Sequence, residues 1–198
     1  MGRPDGKIVP SLSLDPVAFA LEDLIGKEVM FSSDCISDDS IALSQQLKKG
    51  EIHLLENLRF HKGELENDSS FAWHLSRHAD IYINDAFGTA HRTHASNVGI
   101  LEYVKFSTIG FLMEKEKKYL YEFMKNPTSP NILILGGSKI KDKINIMYNL
   151  IDKLDKILIG GAMAFTFLKA QGMNIGSSLY ELENLDLARS MIKKADDN

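Results

Sequence analysis

Apolar and polar positions switch along the chain between the period of a helix and that of a strand. Val17, Leu21, Leu24 and Ile25 fall on one helical face. Asp15 can cap that helix with Pro16 in its first turn, and Gly26 can end it. Glu28 to Ser32 reads as a short strand, Ile41 to Leu47 as a helix ending near Gly50, and Ile52 to Leu55 as a strand. Phe71 to His78 is predicted helical and Ile81 to Ile83 a strand. A long charged helix is expected from about Phe111 to Lys125, closed by Pro127 and Pro130. The alternation then restarts. Asn131 to Leu135 is a strand running into Gly136-Gly137. Ile140, Ile144, Met147, Ile151 and Leu154 follow at spacings 4, 3, 4 and 3, a helical stripe. Ile157 to Ile159 is a strand running into Gly160-Gly161, and Ala162 to Ala170 and Asp186 to Ala195 are helices.

Repeated strand–loop–helix units predict an α/β fold with parallel sheets and helical crossovers. The charged helix near 111–125 is the candidate boundary between two domains, and the last α/β unit looks cut short. A length of 198 residues fits one large domain or two small ones. The content of 44% hydrophobic and 25% charged residues is that of a globular chain. A net charge of −4 offers no excess of cations to attract nucleic acid or an anionic membrane. The longest nearly apolar run, Ile157 to Leu168, has 12 residues and is too short to span a bilayer. The amino terminus carries no signal-peptide pattern, and the one cysteine, Cys35, permits no intrachain disulfide. A cytoplasmic protein is the expectation. Cys35 reads as a buried small residue, and Trp73 and the methionines as core.

In open α/β sheets, ligands bind beyond the carboxyl ends of the strands. That rule selects Leu58-Arg59-Phe60, the segment from Asp85 to Arg92, Gly136-Gly-Ser-Lys139 and Gly160-Gly161. Arg3, Arg59 and Arg92, if gathered at one sheet edge, suit a carboxylate or phosphate. Lys139 and Lys143 would share one face of a helix starting after Gly137. Like charges at that spacing cost roughly 0.2–0.5 kcal/mol unless an anion reverses the sign. The segment is not a Walker A loop. His74 and His78 (i, i+4) and His91 and His94 (i, i+3) match no metal-binding pattern, and the first two are expected to flank the surface of their helix.

Taken together, these segments resemble the phosphoglycerate kinase family. The matching stretches are Gly2 to Gly6, Leu54 to His61, Asn84 to Arg92, Gly110 to Met113, Ile134 to Lys139 with Asp142-Lys143-Ile144, and Ile159 to Lys169. They keep the family's order. The resemblance implies two doubly wound, parallel-sheet, Rossmann-like domains joined by a helix, both incomplete here. Residues 1–108 would form a phosphoglycerate-binding domain without its opening strand. Residues 109–127 would form the interdomain helix, and residues 128–198 the start of a nucleotide-binding domain. It implies reversible phosphoryl transfer between 1,3-bisphosphoglycerate and Mg-ADP, giving 3-phosphoglycerate and ATP in glycolysis, with domain closure about the helix expelling water. By similarity, Arg3, Arg59 and Arg92 would hold the phosphoglycerate, with Gly2, Leu58 and His91 lining the site. Gly136, Gly137, Ser138, Lys139 and Lys143 would meet the nucleotide phosphates, and Gly161 would lie near the adenine. Asp142 would lie near the nucleotide-bound Mg2+, and Lys139 would stabilise the transferring phosphoryl group.

The chain departs from the family pattern in four respects. The family's opening strand, with an Asp, an Asn and an essential Arg, is missing, and so are its later nucleotide-domain strands. Ser138 replaces the usual Ala, and Ala162 the usual third Gly. The expected function is that of the family, and the isolated chain, without the opening-strand Arg, is expected to be inactive. The alternative is a catalytically silent fragment that only binds a phosphorylated ligand. Family members are usually monomeric, but missing strands would leave sheet edges unpaired and favour self-association.

Overall fold

The computed structural model describes residues 2–141 and 143–197. Internal contacts divide the chain into two compact units, Met1–Lys117 and Lys118–Asn198. The division falls within one helix, Phe111–Lys125, which is labelled α5 below.

In the first unit, Val29–Ser32 (β1) pairs in parallel with Ile52–Leu55 (β2), Val29 opposite Ile52 and Ser32 opposite Leu55. Ile81–Asn84 (β3) pairs in parallel with Phe106–Ile109 (β4). The helices of this unit are Asp15–Ile25 (α1), Asp38–Gln45 (α2), Lys62–Glu66 (α3) and Ser69–Ser76 (α4). Helix α2 is the crossover that parallel pairing of β1 and β2 requires. Cys35, Phe71, Ala72, Leu75, Ala95 and Ile100 form the core behind the strand ends.

In the second unit, Ile132–Gly136 (β5) pairs in parallel with Lys156–Gly160 (β6), Ile132 opposite Lys156 and Gly136 opposite Gly160. Ile144–Leu150 (α6), Met163–Ala170 (α7) and Leu185–Asp196 (α8) accompany this pair. Ile140, Met147, Ile151, Met163, Phe167, Ala188 and Met191 close its core. All three strand pairs are parallel, as the alternation predicts. One face of β5–β6 is bare, with Ile134 75% exposed. Parallel sheets are normally covered on both faces.

Several local expectations are corrected. Asp15 is the first residue of α1 and not its cap. The cap is Leu14, which has no side-chain oxygen, and its N–H donates to Glu56 Oε1 at 2.8 Å. Ser13 Oγ donates to Glu56 Oε2 (2.6 Å) and accepts from Asp15 N (3.2 Å). A carboxylate about forty residues away thus does the work of a local cap. On the apolar face of α1, Val17, Leu24 and Ile25 are exposed, because a pair of four-residue strands offers it too little surface. Helix α2 starts at Asp38 because Ser37 Oγ accepts from Ser40 N, and α4 starts at Ser69 because Asp68 accepts from Phe71 N. Both caps lie upstream of the apolar stripes.

Helix α6 begins at Ile144, well after Gly137. Ile140 N donates to Glu181 Oε2 at 2.7 Å, and Lys139 lies in the loop before α6. Lys139 and Lys143 are therefore not helical neighbours. The apolar stripe nonetheless buries Ile140, Met147 and Ile151. Trp73 is 41% exposed, with the Arg77 guanidinium 5.1 Å from its ring centroid. Of the methionines, Met147, Met163 and Met191 are buried, whereas Met124 and Met173 are exposed. His78 lies beyond the end of α4 and points inward, Nδ1 to Ser44 Oγ (2.7 Å) and Nε2 to the Cys35 carbonyl (2.9 Å).

Candidate functional site

Two loop clusters carry the candidate chemistry, one at the carboxyl ends of strands in each unit. In the first unit, β2 runs into buried Glu56 and Asn57 and then a 3-10 turn, Leu58–Phe60. Asn57 Oδ1 accepts from Arg59 N at 3.2 Å and its Nδ2 donates to the Leu12 carbonyl at 3.1 Å. The Arg59 guanidinium donates through Nη1 to the Gly2 carbonyl (3.0 Å), and Gly6 N donates to the Arg59 carbonyl (3.1 Å). The segment from Gly2 to Gly6 is thereby laid against the Arg59 turn. Gly6 has φ +73°, and a Cβ there would strike the Lys62 side chain, so only glycine fits. Leu58 is half-buried against the core. Arg3, His91 and Arg92 are exposed.

The loop bearing His91 and Arg92 follows β3 and is held from behind. Asn97 Nδ2 donates to the carbonyls of Thr89, Ala90 and Arg92 at 3.3, 3.1 and 2.6 Å, and its Oδ1 accepts from Asn84 Nδ2 at 2.5 Å. Buried Glu64 of α3 accepts from Ser96 N (2.9 Å) and Ser96 Oγ (2.7 Å) and lies 3.4 Å from His94 Nδ1. Tyr82 Oη donates to the Ser96 carbonyl at 2.6 Å, and burial pushes the phenol pKa above its ordinary value. The elements that follow Arg59 and Arg92 are therefore joined through Glu64.

Among the described residues, none of Arg3, Arg59 and Arg92 pairs with a carboxylate. Unpaired guanidinium forks suit carboxylates and phosphates.

In the second unit, Gly136 ends β5 opposite Gly160 at the end of β6. Gly137 (φ +148°) and Gly161 (φ +69°) bring two backbones together, and a Cβ on Gly161 would lie 2.8 Å from the Gly137 carbonyl oxygen. That carbonyl accepts from Met163 N at 2.9 Å, tying the loop to the start of α7. The Lys143 ammonium reaches over Gly137, 2.9 Å from where a Cβ would be. Gly137, Gly161 and Lys143 thus meet. Ser138 and Lys139 are exposed on the same loop, and Lys139 pairs with nothing among the described residues. Asp142 lies outside the described residues. Closely approaching glycine backbones beside an ammonium make a concavity suited to phosphate.

The supporting residues Glu56, Asn57, Glu64, Asn97 and Glu181 escape sequence reasoning. Glu56, Asn57, Glu64 and Glu181 act on residues 32 to 45 positions away, a separation that no local pattern records, whereas Asn97 acts within its own loop. Asn97 had one signal, its place five residues beyond Arg92 in a loop too long for a tight turn.

The sequence model of the phosphoglycerate kinase family matches residues 1–198. The chain is 52% identical over 195 residues to the phosphoglycerate kinase of Chlorobium phaeobacteroides strain BS1, covering 98% of this chain and 49% of that protein. It is likewise 52% identical to that of Thermosipho africanus, covering 98% and 48%. Among solved structures, phosphoglycerate kinase from Coxiella burnetii superimposes with a TM-score of 0.82 at 39% identity, over 99% of this chain and 49% of that one. The enzyme from Pyrococcus horikoshii OT3 does so with a TM-score of 0.79 at 29% identity, over 91% and 48%. The chain spans about half the length of the curated relatives it matches. A two-domain Rossmann-like fold, here in part, carries both loop clusters, and the chain belongs to the phosphoglycerate kinase family.

Proposed function

We propose that this chain carries the phosphoglycerate-side arginines and the first nucleotide loops of a phosphoglycerate kinase. The reaction is reversible phosphoryl transfer between 1,3-bisphosphoglycerate and Mg-ADP, giving 3-phosphoglycerate and ATP in the glycolysis of the cytoplasm. The observation that carries this reading is the placement of carboxylate-free cations just past parallel strand ends, in a chain the family model matches throughout.

Arg3, Arg59 and Arg92 hold the phosphoglycerate, with Gly2, Leu58 and His91 lining its place. Arg59 is already oriented by the Gly2 carbonyl, so little side-chain freedom is lost on binding. Gly136, Gly137, Ser138, Lys139 and Lys143 receive the nucleotide phosphates, and Gly161 faces the adenine side. Lys139 stabilises the charge on the transferring phosphoryl group. Such transfer needs positioning and charge stabilisation more than covalent help, which suits an inventory of Arg, Lys and Gly. Mg2+ would travel on the nucleotide phosphates with Asp142 as a neighbour and would neutralise their developing charge.

A second reading is a fragment that binds a phosphorylated ligand without turnover. It is favoured by the half-length match and by the bare face of β5–β6. The coupled back-reaction assay with 3-phosphoglycerate and Mg-ATP separates the two, run with thermal denaturation of the same sample. Turnover lost in Lys139→Ala supports the kinase. Silence together with stabilisation by 3-phosphoglycerate that disappears in Arg59→Ala supports the binding fragment. A ligand at a hundred times its Kd would stabilise by about 2.7 kcal/mol. A melting temperature indifferent to both ligands would overturn both readings.

A further inference from the structure

Where β1 ends, the chain turns through Asp34 and Cys35. Two residues beyond Arg59, the segment after β2 delivers His61 to the same place. An Asp34 carboxylate oxygen, Cys35 Sγ and a ring nitrogen of His61 lie within 4.8 Å of one another. Asp34 Oδ1 accepts from Cys35 N (2.6 Å) and Ile36 N (3.3 Å), and His61 Nε2 is 3.0 Å from the same oxygen. Cys35 is fully buried, and among the described residues its thiol has no hydrogen-bond partner. Asp34 and His61 are both part exposed and open the cluster to solvent. Nothing in the anion-binding arrangement around Arg59 uses this thiol.

We propose that Asp34, Cys35 and His61 form a binding site for a thiophilic divalent cation of the zinc class, held by Sγ, an imidazole nitrogen and one carboxylate oxygen, with water completing a tetrahedron. The donor set decides the class of ion. Hard ions such as Mg2+ and Ca2+ take oxygen ligands, whereas a sulfur–nitrogen–oxygen triad suits zinc. Zinc bonds of about 2.0–2.3 Å put tetrahedral ligand atoms roughly 3.3–3.8 Å apart. The present spacing needs a closure of about an ångström, within reach of the two part-exposed side chains. Charge also balances, since thiolate and carboxylate together offset the dication.

The protons balance as well. The thiol proton leaves to solvent, and neutral His61 moves its proton to Nδ1 to free Nε2. Without an ion, burial first and the Asp34 charge second push the Cys35 thiol up to about 12, so it waits protonated and inert. The site does not depend on the kinase reading. An ion there would fix His61, two residues from Arg59.

The test is titration of the reduced 198-residue chain with Co2+, followed by absorption. The expected result is a thiolate-to-cobalt charge-transfer band with tetrahedral d–d bands, saturating at one ion per chain and bleached by Zn2+. The chain has one cysteine, so that band reports on this site alone. Cys35→Ser should abolish it, and His61→Ala and Asp34→Asn should weaken binding about tenfold or more, the scale on which even outer-shell partners act. His74→Ala, whose ring bonds the Ser70 carbonyl of its own helix, should change nothing. If Cys35→Ser fails to fold by circular dichroism, the other two variants keep the thiol and decide the matter. No charge-transfer band at a large excess of Co2+ overturns the proposal. So does a band indifferent to both His61→Ala and Asp34→Asn, which would be a lone-thiol adduct.

Discussion

Glu56→Ala should cost the first unit much of its stability, although Glu56 touches no candidate ligand. Its carboxylate is buried, and accepts from Ser13 Oγ, Leu14 N and Asn57 N at 2.6, 2.8 and 2.6 Å. Truncation leaves the Leu14 and Asn57 amides without their acceptor at the entrance to α1 and the exit of β2. A buried donor stripped of its partner costs about 1–3 kcal/mol, so the pair costs roughly 2–6 kcal/mol before any cavity is counted. Ser13 Oγ can turn to water and adds little. Against a typical domain stability of about 5–15 kcal/mol, this is a large share. Glu56→Gln keeps one acceptor oxygen and offers its amide to the Ser13 hydroxyl, so it should lose only charge assistance, about 1–2 kcal/mol. The assay is urea unfolding followed by fluorescence of Trp73, the one tryptophan, which lies in the first unit. Exposed Lys115→Ala is the control and should fall within about 0.5 kcal/mol of the parent. An Ala variant within about 1 kcal/mol of the parent, or a Gln variant as damaged as Ala, would refute the account.

Asn97→Ala removes the donor shared by three carbonyls of the His91–Arg92 loop. Amide exchange there should accelerate, and stabilisation by 3-phosphoglycerate should fall, with circular dichroism unchanged. His53 and His78 both have pKa values lowered by burial, and in His53 also by the neighbouring His78. The unfolded chain then binds more protons just below pH 6.5, so stability should fall as pH drops from about 6.5 towards the depressed folded values. Urea midpoints by Trp73 fluorescence should show this slope in the parent and a shallower one in His78→Gln. Gly161→Ala meets both a positive φ and the Gly137 backbone, whereas Gly172→Ala meets a positive φ of +83° with open space around it. The first should cost clearly more than the roughly 1–2 kcal/mol of a left-handed residue, and the second about that much, by denaturant unfolding of the second unit.

The α/β alternation was legible because β1, β2, β3, β5 and β6 are each bounded by turn residues, and α1, α5 and α7 carry their own stripes or stops. Strand β4 was not legible. Phe106-Ser-Thr-Ile109 has four residues with no period-2 pattern, and all are exposed. Sequence reasoning selected the loops past the strands because strand direction and the position of glycines and cations are local facts. It placed Lys139 on a helix because the stripe from Ile140 has helical spacing, whereas regular helix starts only at Ile144. It filled the core with Trp73 because hydrophobicity alone does not reveal that Arg77 and His74 cover the ring instead.

Helix α5 has a consequence for dissecting the molecule. The division at Lys117 and Lys118 cuts a continuous helix that buries none of its residues. Severing the gene there would leave each product a stub of about two turns, well under the length of about 12–15 residues at which an isolated helix holds in water. A cut in the proline-bearing stretch 126–131 would instead leave the whole ladder on one product. Modularity at the level of contacts and modularity at the level of the backbone therefore fall at different places in this chain.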